Sequence, residues 1–177
     1  MAAEHGRSSL AYGQLLYGDA SGNSLGTFTT AKHLSFADET SGLGDTVGDV
    51  KTIAIGGVVA NVDTTNKGTL VVPENGYYEI EASINCAHAT IDHVTLAVYA
   101  GASFASLAAF ANTAAGFYTP PQIVNVTSGD DTTTGEQAEL KFVAYLPAGT
   151  VLGAYVGKAV SEALTVYHAR LSAKLIA

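Results

Sequence analysis

The sequence predicts an all-β protein, a jelly-roll β-sandwich of about eight to ten antiparallel strands with an extended N-terminal arm. Three observations predict it. Residues 77–86 alternate strictly, with Tyr78, Ile80, Ala82, Ile84 and Cys86 on one side and Tyr77, Glu79, Glu81, Ser83 and Asn85 on the other. That is the period of a half-buried strand. The C-terminal run repeats it, with Tyr167, Ala169, Leu171, Ala173 and Leu175 set against His168, Arg170, Ser172 and Lys174. Between such runs the chain is punctuated by Gly, Asn, Asp and Thr clusters, and 19 glycines against 4 prolines leave the turns to Gly, Asn and Asp.

Taken in order, residues 1–26 read as an arm. Gly6, Gly13, Gly18, Gly22 and Gly26 surround a small apolar patch of Leu10, Tyr12, Leu15, Leu16 and Tyr17. A disordered tail needs no such patch, so the arm is expected to dock on its own body, a neighbouring subunit or another protein. Residues 27–177 form the jelly-roll domain, with strands expected near 27–36, 50–55, 57–62, 68–73 and 77–88. The next, 93–100, places Val94, Leu96 and Val98 inward and Tyr99 outward. Further strands follow at 122–127, 138–147, 151–157 and 164–176. The alanine-rich run 101–116, with Phe104, Leu107 and Phe110 at every third position, reads as a short helix or a small-residue strand. Its neighbours favour strand. Residues 127–137 are a polar loop.

Charged residues make up only 14% of the 177, which suggests that other subunits cover part of the surface. The net charge of −8, with no basic cluster, argues against nucleic acid or an anionic membrane as partner. No apolar run approaches the length of a membrane span, and no secretory leader is read in residues 1–18. The single cysteine, Cys86, falls on an apolar strand face and reads as a small buried hydrophobe.

At Pro73, Gly76, Tyr77, Tyr78 and Ile80, and again at Leu146-Pro147-Ala148-Gly149-Thr150-Val151-Leu152, the chain resembles the tumour necrosis factor superfamily and the globular heads of complement. The first anchor matches a strand ending in Pro that leads through a Gly turn into an aromatic strand. The second matches the turn before the penultimate strand, although Thr150 stands where that pattern has Asp. The last strand lacks the aromatic-Gly signature that closes the pattern. The resemblance covers about residues 68 to 177 and implies a ten-stranded jelly roll forming a homotrimer. Beside it stands a residue-level reading: Tyr77, Tyr99 and Tyr145 occupy the non-core faces of their strands, as a stack between subunits would.

No catalytic constellation emerges, and no cofactor or metal is expected. His88, Asp92 and His93 bracket a hairpin turn but lack a third ligand at zinc spacing. Asp45, Asp49, Asp130 and Asp131 lie in loops without a calcium-binding order, and Glu79 with Glu81 fits a solvated strand face. The function expected is therefore structural. The chain is read as a homotrimeric decoration or cement subunit of a virion. It would dock on the major capsid protein of a bacteriophage through Leu10, Tyr12, Leu15, Leu16 and Tyr17 and the trimer base. A receptor- or carbohydrate-binding knob of a viral fibre or spike is the alternative.

Overall fold

The computed structural model describes residues 10–28, 32–36, 43, 50–62, 68–88, 94–111, 122–127, 136–158 and 162–176. They form eleven strands and one helix, with every strand pairing antiparallel. The strands are β1 (Tyr12–Phe28), β2 (Lys32–His33), β3 (Val50–Ile55), β4 (Val59–Asn61), β5 (Thr69–Val71), β6 (Gly76–Ala87), β7 (Val94–Gly101), β8 (Gln122–Thr127), β9 (Glu136–Leu146), β10 (Val151–Lys158) and β11 (Glu162–Leu175). Helix α1 (Phe104–Ala111) lies between β7 and β8.

The first sheet runs β3-β1-β11-β6-β9 and the second β4-β5-β10-β7-β8, with β2 pairing β10 beside that path. Eight of the ten successive steps between these strands change sheet, and β4 to β5 and β7 to β8 stay within one. Sequence neighbours therefore face one another across the interior. That is the wiring of a jelly-roll sandwich, the predicted class.

The core follows the period-two pattern. On β6, Tyr78, Ile80, Ala82, Ile84 and Cys86 are buried, and they meet Leu15, Tyr17, Leu140, Leu171 and Leu96 in one continuous cluster. Burying the Leu and Ile side chains among them contributes about 1.5–3 kcal/mol each. On β11 the alternation slips once. Val166 pairs Cys86 and His168 pairs Asn85, so Tyr167 is the extra residue of a bulge and is only half-buried.

Two expectations are corrected. Of the expected arm, residues 1–9 lie outside the described residues, and from Tyr12 the chain docks on its own body as β1, which runs past residue 26 and hydrogen-bonds along β11 on one side and β3 on the other. Leu15 and Tyr17 are fully buried in the chain's own core and are unavailable to a capsid, while Tyr12 and Leu16 are half-buried and Leu10 is exposed. Within the run 101–116, where the sequence favours strand, Gly101 ends β7 and Phe104–Ala111 form the helix α1, while residues 112–116 lie outside the described residues. Ser103 and Ser106 cap the start of α1 reciprocally, each backbone N–H donating to the other's Oγ at 3.2 Å. Of the described residues in the predicted strand 27–36, Thr27 and Phe28 end β1 and Lys32–His33 pair as β2. Leu34, Ser35 and Phe36 continue as buried chain, with the Leu34 N–H donating to Ala154 O at 2.9 Å.

Candidate association surface

The outer face of the first sheet is built from the residues that alternate with the core. Strand register arranges them in rows. Leu16, Arg170, Ser83 and Glu139 form one row; Gln14, Ser172, Glu81 and Lys141 form the next; Tyr12, Lys174, Glu79 and Val143 follow. Tyr77 and Tyr145 pair beyond them, and the Ile176 N–H donates to Tyr77 O at 2.9 Å. The face therefore grades from polar at one end to apolar at the other.

The middle of the face is an ion-pair ladder. Lys141 Nζ lies 3.2 Å from Glu79 Oε2 and 2.5 Å from Glu81 Oε1, and Arg170 Nη2 lies 2.6 Å from Glu81 Oε2. The hydrogen bond from Lys141 holds the Glu81 carboxyl below the usual carboxylate range, with Arg170 adding to the effect against the opposing cost of burial. The same bonds raise the Lys141 ammonium. Glu79 and Glu81 thus form charge pairs across the sheet.

At the apolar end, the Tyr77 and Tyr145 rings meet edge to face at 5.4 Å between centroids, with 52% and 56% of each residue exposed. Leu10, Val143 and Ile176 are exposed beside them. The third tyrosine of the predicted set lies elsewhere. Tyr99 does point away from the main core, but the face it occupies is covered. It meets Tyr155 edge to face at 4.7 Å between centroids, and with Ala97, Leu107 and Val151 it forms a second buried cluster. Leu107 reaches that cluster from α1, and His33 fits between Phe104 and Tyr155 with centroids at 5.0 and 4.8 Å. Tyr99 is therefore removed from the candidate intersubunit stack.

A groove of about 550 Å³ opens next to Tyr145, lined by the ends of β7 and β9 and the following turn, including Ala100, Gly101, Pro147 and Gly149. Sequence reasoning missed it, because it arises where two strand ends from different sheets diverge around small residues. Cys86 is buried, as its strand position predicts. His88 is buried too, whereas Asp92, His93, Asp45, Asp49, Asp130 and Asp131 lie outside the described residues. Among the described residues, no three His, Cys, Asp or Glu side chains come together as a metal site. No helix among them is long and apolar enough to cross a membrane.

No family model and no curated protein matches this sequence. Solved structures do share its fold. It is similar to Eiger TNF from S. frugiperda, at 10% identity over 96% of this chain and 94% of that one, with a TM-score of 0.56. It is also similar to murine APRIL at pH 5.0, at 8% identity over 94% of this chain and 99% of that one, with a TM-score of 0.53. At such identities the likeness establishes the jelly-roll fold and nothing finer.

Proposed function

We propose that this jelly roll is a self-assembling structural module whose copies close into a homotrimer over the outer face of the first sheet. The observation that carries the reading is the apolar end of that face. Tyr77, Tyr145, Val143, Ile176 and Leu10 lie uncovered there, five of the nine exposed large apolar side chains among the described residues. Aromatic residues on a well-ordered sheet supply much contact area for little lost entropy. The ion-pair ladder is internally neutralised, so covering it does not strand a lone charge. The tumour necrosis factor-like fold of the solved structures supports the same arrangement.

The wider setting we assign to this trimer is a decoration subunit on a virus capsid. The low charge of the sequence supports it, and three identical contacts per trimer would raise avidity roughly 100-fold or more over one. With β1 part of the first sheet, Leu15 and Tyr17 take no part in the grip, which we assign to the trimer base. Light scattering on the purified chain tests the first step: a trimer is expected, with Y77A/Y145A reduced to monomers of unchanged circular dichroism. A monomeric wild type overturns the reading. Co-sedimentation of the trimer with intact particles tests the second step. Binding of the wild type on a glycan array in its place would move the function to a carbohydrate-binding knob.

A further inference from the structure

Strand β3 is the outermost strand of the first sheet, paired on one side only among the described residues. From Lys51 to Ile55 every residue is exposed, on both faces of the strand, including Ile53 and Ile55 at 44% and 48%. The sequence Val-Lys-Thr-Ile-Ala-Ile has one charge and no proline. Edge strands of soluble proteins are ordinarily blunted by charge, by proline or by a covering segment, because their open backbone groups template another strand. The opposite edge of the same sheet shows the contrast: β9 carries Glu139 and Lys141 on its outer face.

We propose that β3 is a self-pairing edge, at which the β3 strands of two copies join antiparallel about a twofold axis at Ile53 and continue the five-stranded sheet from one copy into the next. Symmetry limits the register. A twofold between antiparallel strands is perpendicular to the sheet, so one residue must face its own copy; any other register would put the two strands' side chains on opposite faces. Centring on Ile53 keeps the whole of Lys51–Ile55 paired. Ile53 then faces Ile53, Thr52 faces Ala54, and the Lys51 stem lies along Ile55 of the other copy. The two Lys51 backbones stand about four residues apart along the strand, roughly 13 Å, beyond the screening length in physiological salt. The strand thus meets its own copy with Ile on Ile and a Lys stem on Ile and without setting charge against charge, which is why a second copy is the occupant.

Such a contact is small, and between single molecules it is weak. Its consequence depends on the trimer proposed above, and only there. Monomers joined by β3 give dimers, whereas trimers joined by β3 give an extended network of threefold and twofold contacts.

Charge-swapped variants at Ile53 test the pairing by sedimentation over a concentration series. This residue is exposed, so the fold tolerates the change. The wild type should populate species above the basal mass, beginning with one of twice that mass. I53K and I53E should each weaken that step roughly tenfold, because like charges then face across the axis, and an equimolar mixture of the two should restore it. A single I53C should form a disulfide-linked dimer under a mild oxidant, since Cys86 is buried and cannot substitute. T52C should cross-link far less, because it faces Ala54. No species above the basal mass in the wild type, or doubling that persists in I53K, overturns the proposal. Doubling retained in Y77A/Y145A monomers upholds it and shows that the trimer contact is separate. A wild type that is monomeric but doubles through Ile53 upholds it while removing the trimer.

Discussion

The two sheets carry matching tyrosine pairs in opposite surroundings. Tyr77 and Tyr145 on the first sheet meet at 5.4 Å and 70°, and more than half of each is open to solvent. Tyr99 and Tyr155 on the second meet at 4.7 Å and 62°, with at most 1% of either exposed. Ring chemistry and pairing geometry are nearly the same; what differs is the covering. On the second sheet the chain supplies its own cover, α1 with Leu107 and Phe104, so the aromatic pair adds to the stability of one molecule. On the first sheet the described residues supply none, so the same pair is free to act between molecules.

The sharpest way to break this comparison is to delete one ring from each pair. Y99A removes a fully buried aromatic side chain and should cost ~3–5 kcal/mol in urea unfolding. Y77A removes an exposed one and should cost about 1 kcal/mol or less in the dissociated chain, the worth of the ring pair alone. Equal losses would mean that the two faces are not differently covered. L107A offers a milder form of the same test. It strips the helix side of the cover and should cost about 2–5 kcal/mol, with Tyr fluorescence becoming more accessible to a quencher.

Alkaline titration reads the same difference without mutation. Burial pushes Tyr99 up to about 12 and raises Tyr155 further, with Tyr99 adding to the effect. An unfolded tyrosine ionises near 10, so between about 10 and 12 the unfolded chain holds fewer protons than the folded one, and stability falls as pH rises. Tyr99 and Tyr155 both contribute to that loss. Phenolate absorbance should therefore rise in a cooperative step coincident with loss of β-sheet circular dichroism. Ionisation of every tyrosine with the fold intact would contradict the burial of the second pair.

These faces show what the sequence could and could not reveal. Alternation on β6 assigned Tyr78 to the core and Tyr77 to the outside correctly, because side-chain direction is a local property of a strand. The same logic placed Tyr99 on the non-core face of β7, which is true of its direction. Whether that face is covered depends on the fold of residues 104–111, and their alanine content suited helix and strand alike. The local signal for helix was the Ser103–Ser106 pair, whose reciprocal bonds cap it. β1 was hidden for a different reason. Gly13 resembles a turn residue in the sequence, yet it holds an inward position where a Cβ would sit 2.4 Å from Val58 Cγ1 and 3.1 Å from Leu70 Cδ2. Close packing, not chain reversal, selects glycine there. Once Gly13 is read as a core position, Ala11, Gly13, Leu15 and Tyr17 form a regular inward series.

The ion-pair ladder gives a smaller test of the exposed face. Glu81 is held below its ordinary value of 4.5, so its contribution is present above that pH and is lost as pH falls through the lower folded value. E81Q should cost about 1 kcal/mol near neutrality and should flatten the acid limb of the stability profile. An unchanged acid limb would show that the ladder is not held together in solution. Should the face be covered by sister copies, the same variant would weaken assembly more than folding, because Lys141 and Arg170 would then lose their partner away from water.

The smallest effect expected separates ring burial from hydroxyl chemistry. The Tyr155 hydroxyl is buried and has no hydrogen-bond partner among the described residues, whereas the Tyr78 hydroxyl donates to Glu74 O at 3.0 Å. A buried hydroxyl without a partner gives up its bonds to water and gains nothing in return. Y155F should therefore leave stability unchanged or raise it by up to about 1 kcal/mol, while Y78F should lower it by about the same amount. The two substitutions remove the same atom from two buried tyrosines, so volume and apolar area nearly cancel in the comparison. Opposite signs in paired thermal melts would show that the covered face of the second sheet is held by ring packing alone. A loss in both would mean that the Tyr155 hydroxyl acquires a partner in solution, and that the cover over this face is less dry than its packing implies.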